Sequence, residues 1–179
     1  MSYSIQEHQH RYASWAAGRA ASTKTCRFRV KVAKEIIEEL GLHKLISSPD
    51  LLPDSTNIDS SHKAWRESAV IIAKEKGLNE FTHGIAAKLI NIYLKGIFVC
   101  GGHATHPKVE AVHPPIDSLL LEELYKNNVG GLKQEWNIAR KIRWSKFNSD
   151  QYEYVINLIR MTSNGLPLWK IESYWCGHQ

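Results

Sequence analysis

Lys88 and Asp117 are the two residues of this chain whose types and setting suggest chemistry. Lys88 lies within 84–99, GIAAKLINIYLKGIFV, a segment that is apolar in nearly every direction when wound as a helix. Lys88, Asn91 and Lys95 are the exception, sharing one line within about 60° of one another at 3.6 residues per turn. A lysine on a core helix needs an acidic partner, an anionic ligand, a cleft or a chemical role. Asp117 follows His113-Pro114-Pro115-Ile116, so two rigid prolines set it at the start of a new helix. An amine and a carboxylate so placed suit reaction at a sugar carbon. When a base leaves a nucleotide, positive charge builds on C1′, where a carboxylate stabilises it. A neutral amine can then attack and form a Schiff base. Partial burial lowers a lysine's pKa and a second cation lowers it further. Lys95 would be that cation, about 10 Å along the axis. Asp117 is equally suited to capping the helix that begins at Ser118, and Lys95 to snorkelling into solvent.

The elements that must position these residues read as helix after helix, and the fold class expected is all-α, a compact multi-helix domain. The 179 residues fit one domain, or two helical lobes with a cleft near 81–118. Residues 4–22 predict a helix with an alanine side and a bulky stripe of His8, Tyr12, Trp15 and Arg19. Tyr12 and Trp15 are expected in the core, with Arg19 reaching an anion. Further helices are expected at 30–40, ended by Gly41, and at about 62–76, ended by Gly77. Others follow at about 118–127, 132–143 and 149–161, with a short one near 167–175. Ser47–Ser61 and Gly101–Pro115 read as loops. Cys26–Val32 is the nearest approach to a strand.

Around Lys88 and Asp117 the chain resembles the helix-hairpin-helix DNA glycosylases, most closely the 8-oxoguanine DNA glycosylase type. In that family a glycine-containing hairpin leads into a helix bearing a catalytic lysine, and a Pro-Val-Asp-like segment later supplies a catalytic aspartate. Gly84-Ile85-Ala86-Ala87-Lys88 matches the first part and Pro115-Ile116-Asp117 the second, the likeness running over about 81–124. The chain departs from the family in lacking a Leu-Pro-Gly-Val-Gly hairpin, in its longer glycine-to-lysine spacing and in the extended Gly101–Val112 loop. It also leaves no room for the usual β-containing lobe. The resemblance implies Lys88 and Asp117 as catalytic residues and duplex DNA with a flipped base as partner. The activity implied is excision of a modified base, with or without lyase action, in DNA repair or phage defence. No cofactor and no obligate protein partner are called for.

Other residues join this site as expectations. Asn91 and Lys95 complete the polar line, and His113 is placed to hydrogen-bond a phosphate or base. Residues 132–147 interleave Lys133, Arg140, Lys141, Arg143 and Lys146 with Trp136, Trp144 and Phe147. That pattern suits phosphate contact with base stacking, and equally a solvated helix face over core aromatics. From it Trp144 and Lys146 are taken as substrate-binding. Trp175, in an aromatic C-terminal stretch, is expected to dock on the body and close a pocket.

Cys100, His103, His106 and His113 have spacing that zinc can tolerate, and with Asp117 would suit a metal-dependent hydrolase; no strong metal signature supports this. The alternatives to a glycosylase are therefore that hydrolase and a non-catalytic nucleic-acid-binding protein. The net charge of +5 leans mildly towards anionic partners. Three widely spaced cysteines suggest a reducing compartment, and no signal-peptide pattern opens the chain. The apolar 84–99 segment is short for a membrane span. A soluble cytoplasmic protein is the expectation. P-loop, GxSxG and dinucleotide fingerprints are all missing.

Overall fold

The computed structural model describes residues 3–178, and among these the fold is all-helical, with no strand. Eight α-helices run α1 (Ile5–Ala21), α2 (Val30–Glu39), α3 (Ile58–Glu75), α4 (His83–Leu94), α5 (Pro107–Glu110), α6 (Ser118–Lys126), α7 (Lys133–Ile142) and α8 (Ser149–Ser163). Local chemistry explains their starts. Ser4, Thr82, Asp117 and Asn148 each accept a backbone N–H of the first turn, and Asn148 with Gln151 completes a capping box. Gly41 and Gly77 take left-handed conformations just past α2 and α3, where other side chains would be strained.

α4 runs through the centre of the molecule. Ile85, Ala86 and Leu89 pack into one apolar cluster with α1–α3, while Ala87 faces a second cluster built by α6–α8. Trp144 packs against both. The alanine side of α1 is buried as expected, and its small residues let backbones approach closely. A Cβ on Gly18 would lie 2.8 Å from the Ala33 methyl, and one on Gly96 3.4 Å from that of Ala13. The bulky stripe corrects the sequence reading: Tyr12 is 62% exposed and Trp15 51% exposed. Alanines contact α2 and α4 at short range, which turns the large side chains of α1 outward.

Two more boundaries differ from expectation. α3 starts at Ile58, inside the predicted loop. The 26–32 segment, the nearest approach to a strand, forms none, in keeping with the all-α expectation: Cys26–Arg29 is irregular and α2 begins at Val30. α4 continues as a π-helical run, Lys95–His103, that ends around Gly102 at φ 93°. The helical run from His83 thus reaches Gly101, longer than the sequence suggested, and the 21-residue span His83–His103 is long and apolar enough by composition to cross a bilayer. Two thirds of its most apolar stretch is buried against the other helices. The Gly101–Pro115 connection also contains α5, braced when Lys108 donates to the carbonyls of Asp50 and Leu52 at 2.8 Å each.

The entry to α4 is docked against the start of the second cluster. Gly84 N–H donates to the Phe147 carbonyl (3.1 Å) and Thr82 Oγ1 to the Ser145 carbonyl (3.0 Å). A Cβ on Gly84 would fall 1.8 Å from the Trp144 carbonyl oxygen, so the backbones touch where only glycine fits. Gly84→Ala is expected to cost about 1–3 kcal/mol in urea unfolding, the cost of forcing a packed contact apart. An unchanged midpoint would disprove the close docking.

Candidate active site

α4 delivers Lys88 and the Asp117 cap delivers its partner: Lys88 Nζ donates to Asp117 Oδ2 at 2.9 Å. Asp117 thereby serves as helix cap and ion-pair partner together, with Oδ1 accepting from Leu120 N–H at 2.9 Å. Its Oδ2 also accepts the indole N–H of Trp175 at 3.0 Å. The Trp144 ring lies over the Lys88 ammonium, 5.7 Å from Nζ to centroid. Lys88 is 6% exposed. Desolvation holds its amine below the ordinary lysine range; Asp117 and Glu172 oppose that shift, and Lys95 adds a little to it.

Lys95 is itself paired with Glu172, and its ammonium lies 6.0 Å from the Trp175 ring centroid. Burial pushes the Glu172 carboxyl above its usual range, with Lys95 pulling it back. The sequence reading missed Glu172. The C-terminal 3₁₀ segment Leu168–Tyr174 brings it over the second turn of the lysine line. Lys95 and Glu172 then form part of the wall of a cleft of about 610 Å³, which is otherwise lined mainly by Val99, Trp169, Ile171 and Tyr174. Lys88 and Asp117 do not line this cleft, and neither does Trp175, which is bonded to Asp117.

The backbone carries strain beside the pair. Arg143 has φ 71° and ψ 127°, outside the regions favoured for a side-chain-bearing residue, at a cost of about 1–3 kcal/mol. That turn ends α7 and sets Trp144 over Lys88.

Asn91, the middle of the line, lies in the core. It donates to the Pro114 carbonyl and to Tyr152 Oη, both at 2.9 Å, which leaves Oδ1 to accept from His62 Nε2 at 2.7 Å. This fixes the His62 proton on Nε2, so Nδ1 accepts from Arg66 Nε at 3.2 Å. Arg66, 1% exposed, goes on to Glu153 (2.9 Å) and Ser149 (3.2 Å). His113 donates from Nε2 to Asp59 (2.8 Å) and accepts from Tyr152 Oη at Nδ1 (3.1 Å). Asp59 is also held by Arg160.

Asn91 and His113 therefore correct the sequence reading. Both belong to a buried hydrogen-bonded network, although His113 also edges a smaller hollow of about 260 Å³ with Arg66 and Arg160. The sequence did carry a signal for the missed partners. Ile58, His62, Arg66, Ala69 and Ala73 form the buried stripe of α3, with two polar residues in mid-stripe.

The remaining candidates separate. Lys146 pairs with Glu80 and Arg140 with Glu122, while Trp136 and Phe147 are core residues, so the 132–147 face is partly neutralised. Arg19 is not brought to the Lys88–Asp117 pair; it lines a separate hollow with residues of the 22–29 loop. His106 faces Asp50 and His113 faces Asp59, while Cys100 and His103 are exposed. Among the described residues no three His, Cys, Asp or Glu side chains converge as metal ligands, so the zinc hydrolase loses its geometry. Comparison of the chain with protein-family models, with curated proteins and with solved structures found no match.

The histidine network makes acid costly. Burial, first, holds both His62 and His113 below the usual histidine range; at His113 Asp59 opposes the shift, and neighbouring cations add to it at both. Above about pH 6.5 folded and unfolded chains both keep them neutral. As pH falls further, the unfolded chain takes up protons that the folded chain refuses, at up to about 1.4 kcal/mol per pH unit for each group. Tm is expected to fall between pH 7 and pH 5. A Tm constant over that range would show that these histidines titrate freely.

Proposed function

We propose that the protein is a DNA glycosylase that excises a modified base from duplex DNA, using Lys88 as nucleophile and Asp117 as the carboxylate. One observation carries the reading: Lys88 Nζ lies 2.9 Å from Asp117 Oδ2, with burial weakening the hold of the amine on its proton. The roles follow from the chemistry. Lys88 passes a proton to Asp117 Oδ2, and its freed lone pair forms a bond to C1′ as the C1′–N bond breaks. The electron pair of that bond leaves with the nucleobase, which takes the proton back from Asp117. The carboxylate so restored stabilises the positive charge on the sugar. The C1′–O4′ bond then breaks as C1′=N forms, a proton passing from the former amine to O4′, which gives the Schiff base. Trp144 and Trp175 flank the pair and offer aromatic faces to a flipped base. Access requires Trp175 to release Asp117.

A second reading, a non-catalytic nucleic-acid-binding protein, is favoured by the same closure. Asp117 has three donors already, and the pair lies off the cleft. In that reading Lys88 and Asp117 simply lock α4 to α6.

Borohydride trapping separates the two. With duplexes bearing an abasic site or one of a panel of modified bases, 8-oxoguanine included, a covalent protein–DNA adduct is expected from the wild-type chain. Lys88→Gln should form none. Asp117→Asn keeps an oxygen able to cap α6 and should slow excision by about 10²–10³-fold. Trapping that persists in Lys88→Gln removes Lys88 from the role, and wild-type excision by Asp117→Asn sinks the mechanism.

A further inference from the structure

The positive charge of this chain is concentrated at one place. Residues 8–34 contain seven Lys and Arg and no Asp or Glu, whereas the rest has sixteen against eighteen. The basic excess thus falls within residues 8–34, from the second turn of α1 through the 22–29 loop to the first residues of α2. Within the segment, Arg11, Lys31 and Lys34 are paired with Glu7, Glu35 and Glu38. Arg19, Lys24, Arg27 and Arg29 have no ion pair among the described residues, and together with Ser22 and Phe28 they line a hollow of about 580 Å³. The loop that carries three of them is held in shape. Thr23 N–H donates to the Cys26 carbonyl and Cys26 N–H to Thr23 Oγ1, both at 3.0 Å, while Phe28 N–H donates to Ser22 Oγ at 3.3 Å.

The hollow adjoins two further features. Exposed Trp15 and Tyr12 lie on the same face of α1 as Arg19, their rings 5.9 Å apart. Phe28 packs on Phe81 at 5.6 Å, next to the Thr82–Gly84 entry that docks on Trp144. Four unpaired cations held around a hollow cost electrostatic self-repulsion, which a polyanion would relieve. Basic side chains fixed around a hollow match a sugar-phosphate backbone, which offers regularly spaced negative charge.

We propose that the hollow between α1 and the 22–29 loop binds the phosphodiester backbone of duplex DNA through Arg19, Lys24, Arg27 and Arg29. This deepens the glycosylase reading by naming how the duplex is held away from Lys88. The backbone contact itself needs no excision.

The test is fluorescence anisotropy with an undamaged 20-base-pair duplex between 50 and 200 mM salt. Two double variants, Arg19→Gln with Lys24→Gln and Arg27→Gln with Arg29→Gln, are compared with a control, Lys44→Gln with Lys74→Gln. Each patch variant is expected to bind at least about tenfold more weakly at low salt. The slope of log K against log salt should become shallower by about two, one for each lost phosphate contact. The control, which removes equal charge from exposed positions elsewhere, should change the slope by much less. All four sites are exposed, so the far-ultraviolet dichroism and Tm of the variants should stay as in the wild type.

Patch variants that keep the wild-type slope overturn the proposal, as does a control that loses as much. Loss of binding to anionic phospholipid vesicles, with DNA binding intact, would also overturn it and assign the patch to a membrane. Trapping distinguishes this inference from the reading beneath it. A wild-type chain that forms no adduct but shows patch-dependent DNA binding ends the glycosylase reading and leaves the backbone site standing. A chain that traps normally with a patch-independent slope does the reverse.

Discussion

One line of polar groups along α4 and its π-helical continuation is the constraint on which the rest of the structure depends. Lys88 and Asn91 are buried with no solvent to escape into, and Lys95, at the wall of the cleft, is only partly exposed. Each must find a partner, and each finds it on a different element. Lys88 takes the first residue before α6, and Lys95 takes Glu172 from the C-terminal segment. Asn91 takes His62 from α3, Pro114 from the preceding loop and Tyr152 from α8. About two turns of one helix therefore fix the positions of most of the elements around it. Lys88 or Asn91 left unpaired would carry its full desolvation cost.

The pairing also explains why the two apolar clusters behave as one body around α4. Apolar contact alone is tolerant of small shifts, whereas hydrogen bonds of defined direction are not. The chain from Arg66 through His62, Asn91 and Tyr152 to His113 and Asp59 crosses from α3 to α8 and back to the start of α3. The glycine contact at Gly84 works alongside it, holding the α4 entry against Trp144. Arg143 accepts a strained conformation at the same junction.

What was legible in the sequence follows from this division. Helix periods and caps are local, so the all-α class, Gly41, Gly77 and Asp117 could be read directly from neighbouring residues. The Lys88–Asp117 pair was legible because a core lysine demands a partner and two prolines aim one carboxylate. Glu172 and Asp59 were not, because their partners lie far along the chain and nothing local distinguishes them from surface charges; Arg66 did carry a signal, its place in the apolar stripe of α3. Tyr12 and Trp15 failed for a different reason. Large aromatics are ordinarily the residues a helix buries, but here the opposite face carries the small residues that close packing on α2 and α4 requires. Charge counted over the whole chain likewise concealed its segregation into residues 8–34.

The indole of Trp175 is a ligand that the protein supplies to itself. It satisfies Asp117 Oδ2 with an N–H donor, and the 3₁₀ segment and Glu172 anchor it next to the second lysine. Anything approaching that carboxylate oxygen from the indole side competes with an intramolecular group whose effective concentration does not fall on dilution. Its measured affinity is the intrinsic affinity multiplied by the fraction of molecules in which the indole has let go, so every tenfold in closure weakens it tenfold. The same exchange discriminates by chemistry. A newcomer with its own N–H or O–H donor restores the bond that Trp175 gave up, whereas one without leaves Asp117 a partner short. The C-terminal tryptophan thus sets a threshold, in both energy and hydrogen-bonding pattern, for entry to the most buried charge pair on α4.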